Sequence, residues 1–460
     1  MNRNTILSCI PLALAPFTSS CDHKETRPNI IFLLTDDHRY DAMGYTGNSY
    51  IKTPNIDRLA ERGIIFENAY VTTSISCASR ASILTGQYAS RHGINDFNTD
   101  FTDPALMKTY PLILKNQAGY KIGFIGKYGV GLEKHPADRY DYWGCEKVIQ
   151  PRYENYDSTG KMTHYTDIVN SRIEEFLSQY GGKAPFCLSV SFKAPHVEDS
   201  DPRQFIYNKR YSEYYNDLNY PRPESGSDKY WKSFPEEFRF KNEARRRWTM
   251  RFETDSQFRE SVRSYYRLIQ GVDDVVGNLT KRLDELGISK KTIIIMMGDN
   301  GFFLGEHGLA GKWFPYEESV RIPLFIFNPL EKEKNKGRRI RSIALNIDIA
   351  PTIIAFAGLK KDPGMQGEPL QNTWKEEDPE WRDRFFYEHR FQHPGLPKSE
   401  AVISPNYKYI NYYELPDSSR EFYDLRNDPG EVTNLINSSD YSEIITDHLN
   451  YLDSLRSVIR

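Results

Sequence analysis

Four apolar runs in this chain each end in charged or chelating side chains. Residues 27–37 close on Asp36-Asp37, residues 120–127 on Lys127, residues 186–196 on Lys193 and His196, and residues 292–301 on Asp299-Asn300. A fifth segment, 305–313, carries Glu306, His307 and Lys312 between glycines. A sixth, Ser76-Cys77-Ala78-Ser79-Arg80, sets a hydroxyl and a guanidinium one helical turn apart. Asp36, Asp37, Asp299 and Asn300 offer all-oxygen ligation for a hard cation such as calcium. Arg80, Lys127, Lys193 and Lys312 suit an oxyanion, and His196 suits proton transfer to a leaving group. Together they describe hydrolysis of an anionic ester.

Continuous apolar runs read as buried parallel strands. In an open parallel sheet the carboxyl ends of the strands share one edge, where ligands bind. Taken singly, a charge at a strand end only marks the exit to solvent; the set implies a common crevice. Between the strands, residues 54–63 and 265–286 carry apolar side chains at helical spacing, the first stopping at Gly63. Residues 200–262 are rich in Tyr, Arg and Glu and read as a surface insertion, with Arg245-Arg246-Arg247 as a solvated charged face. From about 375 the texture changes: residues 407–413 alternate like a strand, 421–425 form another before a turn at 428–431, and 441–459 repeat apolar residues on one helical face.

These segments, in this order, resemble the type I sulfatases of the alkaline phosphatase superfamily. Ser76-Cys77-Ala78-Ser79-Arg80 followed by Ala81-Ser82-Ile83-Leu84-Thr85-Gly86 matches the signature that directs oxidation of its first residue to formylglycine. That register makes Ser76 the modified residue and leaves Cys77 as its neighbour. The resemblance implies an α/β fold with a large, mostly parallel sheet flanked by helices, and a smaller C-terminal α+β subdomain with an antiparallel sheet. The expected organisation is a leader over 1–21, a catalytic domain over 27–374 and the subdomain over 375–460. It implies one calcium held by Asp36, Asp37, Asp299, Asn300 and the hydrated residue 76, with Arg80, Lys127, Lys193 and Lys312 around the sulfate and His196 as general acid. A formylglycine-generating maturase and a sulfated carbohydrate are the implied partners. For sugar recognition the expectation falls on His389, Arg390 and His393, with His307 beside them.

The chain departs from the pattern at one place. Many sulfatases carry Lys-Trp-His after the second of these strands; here Lys127-Tyr128-Gly129 stands there, so the base that collapses the hydrate is unassigned. Two alternatives remain open: a phosphatase or phosphodiesterase of the same superfamily, which uses two transition metals and histidine ligands, and an inactive glycan-binding homologue in which Ser76 stays a serine.

Composition fits an exported bacterial enzyme. A net charge of −3 over 460 residues gives no reason to expect a nucleic-acid partner. Thirty-one tyrosines suit either packing or a carbohydrate-facing surface. Arg3 precedes an apolar stretch over 6–17, too short to span a bilayer. Thr18-Ser19-Ser20-Cys21 resembles a loose lipobox with Cys21 as the lipidated first residue, so a lipid anchor is the one membrane contact expected; cleavage and secretion to the periplasm is the other outcome. Cys9 and Cys21 fall in the leader, and Cys77, Cys145 and Cys187 show neither disulfide nor zinc spacing.

Overall fold

The computed structural model describes residues 27–375 and 380–458. The leader, with its lipobox, lies outside them. An eight-stranded sheet forms the centre. In chain order its strands are β1 (Asn29–Asp36), β2 (Ile64–Phe66), β3 (Lys121–Gly126), β4 (Tyr142–Cys145), β5 (Phe186–Pro195), β6 (Thr292–Gly298), β7 (Leu324–Phe327) and β8 (Arg339–Ile340). They lie side by side in the order β8-β2-β7-β6-β1-β5-β3-β4. Only β7 runs against the rest.

The two faces follow from a period of two along each strand. Ile30, Phe32 and Leu34 of β1, with Ile293, Ile295 and Met297 of β6, enter one core. Ile31 and Leu33, with Ile294 and Met296, enter the other. Every residue of β1, β5 and β6 is buried, which explains the unbroken apolar runs.

Register aligns the functional strand ends. Asn29 pairs with Thr292 and Thr35 with Gly298, so Asp36 and Asp299 emerge side by side. On the other flank Asp36 lies opposite Pro195, one residue before His196. Gly126 pairs with Ser191, which delivers Lys127 to the same edge.

The helix Asp255–Glu285 spans the second face. It starts at a capping box in which Thr254 and Gln257 satisfy each other's backbone amides. Midway along it, Asp273 accepts the backbone N–H groups of Asn55 and Ile56 at 3.0 and 2.8 Å. This caps the helix Pro54–Glu61 from a neighbouring element. A second sheet of β9 (Phe385–His389), β10 (Ser399–Ile403), β11 (Tyr407–Asn411) and β12 (Glu421–Asp424) is antiparallel throughout, and the helix Ser442–Val458 packs on it.

The segment 200–262 is not a surface insertion in the sense its composition suggests. It folds into the helices Asp228–Ser233, Glu236–Arg239 and Glu243–Arg251, and it buries Trp231, Phe238, Trp248, Phe252 and Phe258. Its aromatic side chains sit inside a charge-rich sequence, so no single stretch of it shows an apolar face. Among the described residues Cys77, Cys145 and Cys187 are free thiols, and no helix is long and apolar enough to cross a membrane.

Candidate active site

Ser76 opens the helix Ser76–Thr85, all ten residues of which are buried. Ile75 before it is extended, and Gly86 after it adopts the left-handed conformation that ends the helix. The positive end of the helix dipole therefore lies at the Ser76 hydroxyl, where negative charge is favoured. Ser76 Oγ donates to Asp36 Oδ1 at 3.0 Å and lies 3.5 Å from Asn300 Oδ1. Burial pushes the neighbouring Cys77 thiol up to about 12, so Cys77 is no competing nucleophile at neutral pH.

Arg80, one turn on, is 2% exposed and runs along the floor of the site. Its Nε donates to Asp299 Oδ2 at 2.9 Å and its Nη1 to the Lys127 carbonyl at 2.7 Å and to Ser191 Oγ. Its Nη2 lies 3.6 Å from Asp36 Oδ2 and has no hydrogen-bond partner. Lys127 Nζ binds Asp36 Oδ2, and Lys312 Nζ binds Asp37 Oδ1. Asp37 takes a left-handed φ of 60°, which asparagine and aspartate tolerate better than most residues. The turn is pinned by Asp37 N–H on Asp299 Oδ1 at 3.1 Å and by Tyr265 Oη, which donates to the Asp37 carbonyl at 2.8 Å. It aims the Asp37 carboxylate at Lys312, at Asn300 Nδ2 (2.7 Å) and at His196 Nε2 (3.4 Å).

The electrostatics follow from burial and packing. Burial alone would raise Asp36, but Lys127, His196, Arg80 and Lys312 hold it well below the ordinary carboxylate range. Asp299 moves the other way: burial, then the charge of Asp36, push it up to about 7. Burial lowers Lys127 and takes His196 down to about 4. The imidazole is neutral in this state, with Nδ1–H donating to the Val197 carbonyl and Nε2 3.1 Å from the Gln150 amide nitrogen.

Most of the residues expected at the site meet there. Ser76, Arg80, Lys127, Lys312, His196, Asp36, Asp37, Asp299 and Asn300 form one continuous cluster. Asp36, Asp37 and His196 also present ligand atoms within 4.8 Å of one another. Lys193 reaches the same strand end, but its ammonium is taken by Glu198 at 2.8 Å and stands 4.2 Å over the Tyr153 ring.

The four residues expected to read the sugar do not enter the hydrogen bonds of this cluster. His307, at a left-handed φ of 57°, stacks on Tyr316 at 4.2 Å and faces Glu318 at 3.5 Å. His389 is fully buried at the end of β9, and neither ring nitrogen has a hydrogen bond. Arg390 is held by Glu388 at 2.6 Å, and His393 accepts the Gly395 N–H in its own turn. Gln150, Ser191 and Tyr265 contribute contacts that no motif announced.

The chemistry of the donors fits a hard dication. Three buried carboxylates face three buried cations, Lys127, Lys312 and Arg80, leaving the cluster close to neutral. A calcium ion entering with a sulfate monoester would change that balance by only about one charge.

Comparison with known proteins finds sulfatase relatives. An N-acetylglucosamine-6-O-sulfatase of Bacteroides thetaiotaomicron is 29% identical over 96% of this chain and 88% of its own length. An arylsulfatase of Clostridium perfringens is 28% identical, with 91% and 92% covered. The solved structure of BT4656 in complex with its substrate D-glucosamine-2-N,6-O-disulfate superposes with a TM-score of 0.80 at 28% identity, covering 94% of this chain and 98% of that one. A phosphonate monoester hydrolase of Agrobacterium radiobacter shares the fold at 21% identity and a TM-score of 0.76. The C-terminal model of N-sulphoglucosamine sulphohydrolase matches residues 305–457. With the sulfatase model itself matching residues 28–359, the chain belongs to the sulfatase family and is a sulfuric ester hydrolase.

Proposed function

We propose that this enzyme removes a sulfate ester from a sugar of a sulfated glycan, with Ser76 as the precursor of its nucleophile and one calcium ion at Asp36, Asp37, Asp299 and Asn300. The observation that carries this reading is the convergence of Asp36 and Asn300 on Ser76 Oγ, with Lys127 and Arg80 behind it. An N-acetylglucosamine-6-O-sulfatase among the relatives, and a neighbour solved with a sulfated glucosamine, support the glycan as substrate. The reading includes a catalytic domain over 27–374 with a C-terminal subdomain over 375–460, export to the periplasm or to the outer membrane as a lipoprotein, and a maturase acting on Ser76.

When bound, calcium would neutralise the sulfuryl oxygens, and formylglycine would supply a hydrated aldehyde as nucleophile. This chain's own residues do the rest. Arg80 Nη2, without a partner, and the ammonium of Lys127 hold the sulfate on the Ser76 side. Lys312 and His196 flank the opposite side through Asp37, where the ester oxygen departs. There the imidazole of His196, once Nε2 has taken up a proton from solvent beside the Asp37 carboxylate, delivers the proton that a sugar alkoxide needs.

The test is chemical. Protein from its native host should show a mass two hydrogens short at Ser76, and chelation should abolish sulfate release, with calcium restoring it better than zinc. Unmodified serine in protein that turns over many equivalents of ester would overturn the mechanism. Two zinc ions per chain would favour the phosphatase alternative.

A further inference from the structure

His196 is followed after three residues by Asp199, whose carboxylate is almost half exposed. Its Oδ1 accepts Arg247 Nη1 at 2.7 Å and Arg251 Nη2 at 2.9 Å. Both arginines come from the helix Glu243–Arg251, so Asp199 ties that helix to the strand end that carries His196. From the other side the Arg247 guanidinium lies 5.0 Å over the ring of Trp313, the residue after Lys312. The pair thus stands between the loop of His196 and the loop of Lys312, both of which reach Asp37.

Their charges are not balanced. Arg246, Arg247 and Arg251 meet only Asp199 and Glu243, leaving one positive charge in excess. Arg251 is also incompletely satisfied: its side chain is 1% exposed, Nε donates to Gln204 Oε1 at 2.8 Å, and Nη1 has no partner. A guanidinium removed from water with a bare N–H is unfavourable unless an acceptor arrives. A planar guanidinium matches the oxygens of sulfate or carboxylate. With His196 as the proposed proton donor, groups beyond it face the sugar that leaves and not the sulfate that is cut.

We propose that Arg247 and Arg251, braced by Asp199 and Trp313, form a second anion subsite that binds a further sulfate or carboxylate on the leaving saccharide. The inference rests on the sulfatase reading of the Ser76 cluster and deepens it: the preferred substrate carries at least one negative charge besides the ester that is cleaved.

The experiment is competition against 4-nitrophenyl sulfate hydrolysis by the matured, calcium-loaded full chain. The competitors are glucosamine 6-O-sulfate, glucosamine-2-N,6-O-disulfate and a uronate-containing disaccharide of glucosamine 6-O-sulfate, with their galactosamine counterparts. A doubly charged sugar is expected to compete at least fivefold better than its singly charged partner, the disulfate arm reading a second sulfate and the uronate arm a carboxylate. Arg247→Ala and Arg251→Gln should each cut that ratio to less than half. The readout is a ratio, so a general loss of activity cancels; if Arg251→Gln does not fold, Arg247→Ala decides. A smaller ratio in the wild type, or one that survives substitution, overturns the subsite alone. Absence of any sulfate release from the wild type overturns the sulfatase reading and the subsite with it.

Discussion

At the scale of single residues, Gly129 stands where the chain departs from its family's pattern. Its φ is +70°, and a Cβ built there would stand 2.8 Å from Arg80 Cδ and 3.2 Å from Nε. A side chain at this position competes with the path of Arg80 as well as with the backbone conformation. Gly129→Ala should therefore lower thermal stability by about 1–2 kcal/mol and lower sulfate release at least tenfold by displacing Arg80; calorimetry and turnover of 4-nitrophenyl sulfate check both. The motif shows that the histidine is missing but not how closely Arg80 passes Gly129, because that contact joins residues far apart in sequence. The same limit applies to His307. Gly-Glu-His-Gly gives the ring hydrogen-bonding capacity without saying which way it turns, and the turn is set by Tyr316 and Glu318.

At the scale of elements, what the sequence made legible was the strand ends. β1, β5 and β6 are buried on both faces, so their apolar runs are continuous and their polar termini stand out. The short helices of 228–251 were hidden, since their buried rings are flanked by Arg, Glu and Lys and pack against distant partners such as Phe314 and Tyr412. Tertiary capping was equally invisible. Asp273 caps the helix Pro54–Glu61, but burial pushes it up to about 6 in the folded state, above its unfolded value. The folded protein thus holds that proton more tightly. This contribution is fully present below the unfolded pKa and is lost as pH rises through about 6. Between pH 7 and pH 5 the wild type should gain about 1 kcal/mol over Asp273→Asn, measured as the difference between two denaturant curves. A difference that is flat with pH would show that Asp273 ionises normally.

At the scale of the whole molecule, the second sheet is joined to the first by buried charge. Lys408 of β11 has no exposed surface, and its ammonium lies 3.0 Å from Glu317 and 2.7 Å from Glu431. Glu317 belongs to the segment after Lys312 and Glu431 to the turn after β12, so one lysine joins the catalytic part to the C-terminal sheet. Burial pushes Glu431 up to about 7 even with that partner. Lys408→Met would leave two buried carboxylates without their cation and should cost about 3–5 kcal/mol. Thermal unfolding should stay a single transition at a lower temperature; a new early transition confined to the C-terminal sheet would mean that the two parts are held together by other contacts.

The helix that begins at Ser76 also imposes an order of events. Its ten residues are sealed beneath strands drawn from positions 29 to 298, and Ser76 itself is 1% exposed. If Ser76 is matured to formylglycine as proposed, the maturase needs access to a side chain that the folded structure buries. On that reading maturation precedes the burial of this helix, and chains that fold first are left with a serine. The yield of working enzyme would then be a race between maturation and folding: slowing the fold or supplying more maturase should raise the active fraction, and incubating purified, unmodified protein with maturase should not.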